Sequence, residues 1–158
     1  ANPVPEIWPY AAKEEGAFII ATGRGDFPNQ VNNSVCFPGI LKGALAVRAR
    51  KITDGMAIRC AHSLADFARK RGIGPDNIVA TMEETEVFAQ EAADVAMQAI
   101  SEGVARVHAT WQEVYDKAMT DIADSRNATK KLMELGFIAE PPMAMLQAAM
   151  DEAVAAVR

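Results

Sequence analysis

Two glycines one helical turn apart, Gly39 and Gly43, lie inside the helix-like segment SVCFPGILKGALAVRAR. Each glycine in a helix interior costs about 1 kcal/mol relative to alanine. Repeating that cost on one face is offset if another backbone approaches closely along it. The helix carrying the pair is predicted to run from Ser34, or from a neighbouring asparagine that caps it, to about Arg50. Pro38 then falls in or near the first turn, where a missing N–H is tolerated.

Other helices follow from apolar periodicity and stop signals. One covers about 54–71, with Lys70 and Arg71 near the negative end of its dipole and Gly72 as its stop. A second covers about 84–101, where Val87, Phe88, Val95, Ala99 and Ile100 form an apolar stripe. A long helical pattern starts after Thr110, which forms a capping box with Glu113. Pro141 and Pro142 separate it from a final Ala- and Met-rich helix. Near the N-terminus, Pro9 and Gly16 bracket a short helix, and AFIIAT (17–22) reads as a strand buried on both faces. GIGPDNIVAT is a turn and a short extended piece, and its GxG follows a helix rather than a strand, so it is not a phosphate loop. The predicted fold class is α/β: the end of a parallel α/β sheet, with one or two strands, followed by a mainly α-helical region.

The 158 residues are half apolar and carry a formal charge of -5. That balance argues against a nucleic-acid partner, whose affinity comes largely from basic residues on phosphates. No apolar run is long enough to span a bilayer as a helix. Cys36 and Cys60 form no CxxC and no metal-ligand spacing, and they read as two reduced thiols of a cytoplasmic protein. The start at ANPVPE, without methionine or targeting segment, is what a piece of a longer protein would show.

ATGRGDFPNQVNNS (21–34) holds two competing signals. Arg24-Gly25-Asp26 is an adhesion tripeptide in name, but adhesion needs a secreted, usually disulfide-bearing context. The plainer reading is a sharp turn at Gly25 with Asp26 bonded to nearby backbone. Asn32 and Asn33 follow a candidate strand and open a helix, where ligands bind in open α/β sheets. Their amides offer donors and an acceptor without charge, which suits a carboxylate or hydroxyl beside a metal. Helix capping is the alternative use of both. Asn2 shares that geometry if a strand precedes it. His62 and His108 are isolated, MEETE (82–86) places acids in a first helical turn, and the tryptophans and methionines fall at packing positions.

ANPVPEI followed by ATGRGDFPNQVNNSVCFPGILKGALAVRARKI resembles the malic enzymes, specifically the shorter bacterial and archaeal kind. IVATMEETEVFAQEAADVAMQAISEGVAR and LMELGFIAEPP are similar to the family's helical C-terminal region. Gly25 stands where the family usually has serine, and Ala89 where proline is common. The resemblance implies a Rossmann-like cofactor domain ending near residue 50, with the helical region over 51–158. It implies oxidation and decarboxylation of malate to pyruvate, with NAD or NADP and with Mg2+ or Mn2+. Asn2, Asn32 and Asn33 would be substrate-side contacts, with Asn2 and Asn33 also near the cofactor. The family's catalytic tyrosine and lysine, its metal-binding carboxylates and its GxGxxG loop all precede the Asn-Pro motif. The chain is therefore expected to contain no catalytic or metal-ligating residue and to be inactive alone. The N-terminal remainder of the enzyme and a second copy, as a homodimer, are its implied partners. The competing class is a stand-alone helical interaction or scaffold module without catalysis.

Overall fold

The structure, a computed structural model, describes residues 3–139 and 141–157, the last of these in backbone only. Among the described residues there are six α-helices: α1 (Pro9–Glu14), α2 (Phe37–Ala46), α3 (Asp54–Arg71), α4 (Glu86–Ser101), α5 (Trp111–Glu134) and α6 (Met143–Val157). A single 3-10 turn, Asn33–Val35, leads into α2. The chain divides into two compact units, residues 1–121 and 122–158.

The first unit is organised around α4. Val87, Ala89, Ala92, Ala93, Val95, Ala96 and Ala99 are all fully buried, so this helix is enclosed rather than one-sided. The alanines let neighbouring helices approach, and α2 and α3 both pack on it. The glycine pair of α2 explains the tighter of these contacts. A Cβ on Gly43 would sit 2.5 Å from the Ala92 carbonyl oxygen and 2.9 Å from the Val95 Cβ. One on Gly39 would collide with the Glu91 side chain. Close approach along that face is as the sequence predicts. Val47, Met56, Cys60, Val114 and Ala118 complete the core from α3, α5 and the end of α2.

Helix ends match the sequence signals where those signals are local. Pro9 occupies the first turn of α1, and Gly16 follows it with φ +92°. Thr53 caps α3 by accepting from the Met56 N–H at 3.1 Å, and Gly72 ends it with φ +100°. Thr110 and Glu113 form the expected reciprocal box, with the Thr110 N–H donating to Glu113 at 2.7 Å and the Glu113 N–H to Thr110 at 3.3 Å. Two ends differ. Helix α2 stops at Ala46 rather than near Arg50, because Arg48 takes a left-handed φ of +49°. The Ala49 N–H then bonds back to the Ala44 carbonyl and the Arg48 N–H to that of Leu45, a Schellman closure made without glycine. Helix α4 starts at Glu86, because the Glu84 carboxylate accepts from the Thr81 N–H and pairs with Arg71 instead.

The strand expected over 17–22 does not form among the described residues. Phe18 is 80% and Ile19 50% exposed, and the only pairing here is an isolated parallel bridge between Thr22 and Gln30. A strand satisfies its backbone only through a neighbour. No described segment offers one, so the apolar run remains extended and uncovered.

The second unit holds the C-terminal part of α5 and all of α6. Leu132, Met133, Leu135 and Phe137, and on α6 Met143, Met145, Leu146, Met150 and Val154, are exposed.

Candidate functional site

The 21–34 loop is closed at its base by the Val31 N–H donating to the Thr22 carbonyl at 2.8 Å. Asn29, buried and at φ +56°, braces it from inside. Its amide nitrogen donates to the Ile20 carbonyl at 2.9 Å and the Pro75 carbonyl at 2.6 Å, and its oxygen accepts from the Ile78 N–H at 2.9 Å. Sequence reading passed over this asparagine. Its signal was local: Asn is among the few residues that tolerate left-handed backbone.

Arg24 organises the outer side. Its guanidinium forms a two-pronged pair with Asp26, Nε to Oδ1 at 2.8 Å and Nη2 to Oδ2 at 2.6 Å. That hydrogen bonding holds the Asp26 carboxyl below its usual range. Arg24 also donates to the Pro3 carbonyl and lies over the Trp8 ring, 5.4 Å from its centroid, and the Phe27 ring at 5.7 Å. The tripeptide is thus closed on itself. Asp26 binds the arginine side chain rather than chiefly neighbouring backbone. Gly25 lies in a turn, outside the left-handed glycines of the described chain.

Asn32 is half-buried and Asn33 exposed. The Asn32 Oδ1 accepts from the Ser34 N–H at 2.9 Å, capping the 3-10 turn, so the acceptor end of that amide is occupied and its NH2 remains the end suited to a ligand oxygen. Asn33 opens the turn, and its carbonyl accepts from the Cys36 N–H at 3.0 Å. Asn2 lies outside the described residues. The pair does not line the cleft beside it, a space of about 360 Å3 bordered by Phe27, Gln30, Asp76, Thr81, Met82 and Glu83. Two carboxylates on that cleft make it a poor bed for a dianionic ligand. Ser34 reaches its edge, with the hydroxyl 3.3 Å from the Met82 sulfur.

Cys36, at the entry to α2, and Cys60, within α3, bring their sulfurs to 3.1 Å. Both are free thiols, Cys60 fully buried and Cys36 half-buried. The Glu91 carboxylate lies beside them, fully buried under Gly39, and neither of its oxygens has an aligned hydrogen-bond partner. Burial raises its pKa to about 8, against a smaller opposing effect of the nearby Cys60 thiol. Burial likewise pushes both thiols up. Their separation in sequence carries no metal-ligand spacing, and only the α2–α3–α4 packing creates the cluster.

The class these features belong to is a nicotinamide-dinucleotide-binding domain: the domain family described as malic enzyme, NAD binding domain, matches residues 18–101. The bifunctional malic/malolactic enzyme of Bacillus subtilis is 42% identical over 117 residues, covering 74% of this chain and 28% of that protein. The NAD-dependent malic enzyme of Geobacillus stearothermophilus is 40% identical over 106 residues, covering 67% and 22%. Among solved structures, Entamoeba histolytica malic enzyme superposes with a TM-score of 0.94 at 61% identity, covering 99% of this chain and 32% of that one. The malic enzyme of Pyrococcus horikoshii gives 0.79 at 44% identity, covering 83% and 30%. The chain belongs to the malic enzyme family, and it spans about 28% of the length of the first of these curated relatives. A stand-alone helical module is not favoured beside matches of this kind.

Proposed function

We propose that the chain is the substrate-side part of an NAD- or NADP-dependent malate oxidoreductase that decarboxylates its product to pyruvate. Residues 1–50 would complete a Rossmann-like cofactor domain, in which residues 17–22 join a parallel sheet, and 51–158 form the helical region. The observation that carries the reading is the agreement over almost the whole chain with a solved malic enzyme, at 61% identity and a TM-score of 0.94.

In this reading Asn32 and Asn2 hold the carboxylate and hydroxyl end of malate, and Asn33, with Asn2, lies near substrate and nicotinamide. The amide NH2 of Asn32, without a hydrogen-bond partner among the described residues, and the exposure of Asn33 support these roles. The cofactor supplies a hydride acceptor. This chain contributes neutral hydrogen-bonding groups that fix malate's orientation without adding charge to the site.

The expected Mg2+ or Mn2+ does not fit the donors present. Among the described residues the one cluster of metal-ligating type is Cys36, Cys60 and Glu91, which is rich in sulfur, whereas these ions take oxygen ligands. No step is therefore assigned to this chain through that ion. Its carboxylate ligands, with the tyrosine, lysine and GxGxxG loop, would belong to an N-terminal remainder of the enzyme. Exposed apolar side chains on α6 are consistent with assembly as a homodimer. The free thiols fit a cytoplasmic setting. No helix of the described residues is long and apolar enough to cross a membrane.

Asn32→Ala in the full-length enzyme tests the assignment. Loss of a substrate-orienting hydrogen bond should lower kcat/KM for malate by about tenfold or more. Unchanged kinetics would remove Asn32 from the site.

A further inference from the structure

Glu91 poses the sharpest unexplained problem in the molecule. A carboxylate with no exposed surface ordinarily has an arginine, a lysine or a set of backbone N–H groups to satisfy it. Here both oxygens lack an aligned partner. The pocket around the carboxylate is nevertheless built to admit it, since Gly39 leaves open the space that any Cβ would fill. Two sulfurs, those of Cys36 and Cys60, lie close at hand. The Cys60 sulfur lies 3.1 Å from that of Cys36 and 3.7 Å from the Cys36 carbonyl oxygen, with the Glu91 carboxyl beside it.

We propose that Cys36, Cys60 and Glu91 form a binding site for a soft or borderline divalent cation, of which Zn2+ is the best fit. The three ligand atoms all lie within 4.8 Å of one another, and the two sulfurs are 3.1 Å apart. Ligands at about 2.3 Å from a tetrahedral zinc stand roughly 3.8 Å from each other, so these separations bracket the required edges. Small rotations of the side chains suffice. Three protein ligands leave a fourth position for water, and the half-buried Cys36 marks the side from which an ion enters.

The donor set excludes hard cations as the preferred occupant. Two thiolates select zinc-like ions over Mg2+ or Mn2+. The site stands whether or not the chain serves the proposed reaction. Loading exchanges protons for metal without any redox change. Each thiol releases its proton to solvent as the sulfur–metal bond forms, and the carboxyl does the same where it is protonated. A disulfide between the two cysteines would use only two of the three groups and would leave Glu91 as unsatisfied as before. A cation uses all three.

The ligands come from the start of α2, from α3 and from α4, so a bound ion would cross-link the three helices that build the core. Its role is structural, and its occupancy would be read in stability before activity.

The test uses the full 158-residue chain, reduced and stripped of metal with a chelator that is then removed. Titration with Zn2+ should give one ion per chain, retained against excess Mg2+, and a thermal midpoint higher by about 5 °C or more. The Co2+-loaded chain should show a thiolate-to-cobalt charge-transfer band. Cys36→Ser and Cys60→Ser should each weaken Zn2+ binding at least about hundredfold, and Glu91→Gln about tenfold. Retention of wild-type Zn2+ affinity by the Cys36→Ser variant, or a Co2+ spectrum without the thiolate band, would overturn the proposal. So would a reduced chain that holds no Zn2+ but loses two hydrogens to mild oxidation, which would identify a disulfide pair instead. Should Cys60→Ser fail to fold, the half-exposed Cys36 variant and the Co2+ spectrum of the unmodified chain decide the matter.

Discussion

Helix α4 and the segment 17–22 are both short, strongly apolar stretches, and they end in opposite circumstances. From Val87 to Ala99, α4 is enclosed on nearly every side, whereas Phe18 and Ile19 face outward. The difference lies in the backbone. A helix satisfies its own N–H and C=O groups and needs neighbours only for its side chains. A strand needs a partner for both, and among the described residues 17–22 finds a single bridge, at Thr22. Apolar composition therefore announces burial, but only a helix can arrange it with the local chain alone.

The strongest challenge to the enclosed region is its buried acid. The Glu91 carboxyl has its pKa raised to about 8 from an ordinary 4.5, mainly by burial, and its titratable neighbours are the thiols of Cys36 and Cys60. Below about pH 4.5 folded and unfolded chains both hold the proton. Between there and about pH 8 only the folded chain holds it, so rising pH favours unfolding. Chemical denaturation of the metal-free chain should show stability falling by up to about 1 kcal/mol per pH unit across that window, and falling again above about pH 9, where the thiols of the unfolded chain ionise and the buried ones do not. Glu91→Gln should flatten the profile between about pH 4.5 and 8, and a slope that persists there in the variant would place its source elsewhere.

A smaller effect is expected where α2 crosses α4. Gly43→Ala improves helix propensity yet drives a methyl group against the Ala92 carbonyl. Overpacking of this kind costs about 1–3 kcal/mol, enough to outweigh the propensity gain. A variant more stable than the parent in urea unfolding would mean that the crossing is looser than described.

The smallest effect belongs to the exposed run. Phe18→Ser should alter the stability of this chain by no more than about 0.5 kcal/mol, as for other uncovered surface positions. A loss of several times that would show the segment to be covered and would dissolve the contrast with α4.

What the sequence made legible follows the same division. The bounds of α3, the Thr110–Glu113 box and the close approach at Gly39 and Gly43 rest on residues within a few positions of each other. The early end of α2 was not legible, because its left-handed residue is an arginine and not a glycine. The strand over 17–22 is not formed among the described residues, since its realisation depends on a partner segment that periodicity does not reveal. At the candidate site, the capping role of Asn32 was legible. The brace at Asn29 and the Arg24–Asp26 closure were missed, because they are tertiary arrangements of residues that read locally as turn formers. The Cys36–Cys60–Glu91 cluster escaped for the same reason: it exists only after three helices have packed.

The two tryptophans happen to be divided between the regions just contrasted. Trp8 lies under the Arg24 guanidinium and beside Tyr10, within the loop assembly. Trp111 stacks on Tyr115 at 4.9 Å, and its indole N–H is bonded to the Asp94 carboxylate, which also pairs with Arg59 of α3. The chain therefore carries two tryptophan fluorophores in dissimilar polar environments. Replacing either one with phenylalanine leaves a single tryptophan, so under excitation that spares tyrosine the melting of the loop and of the helical core can be followed separately by light.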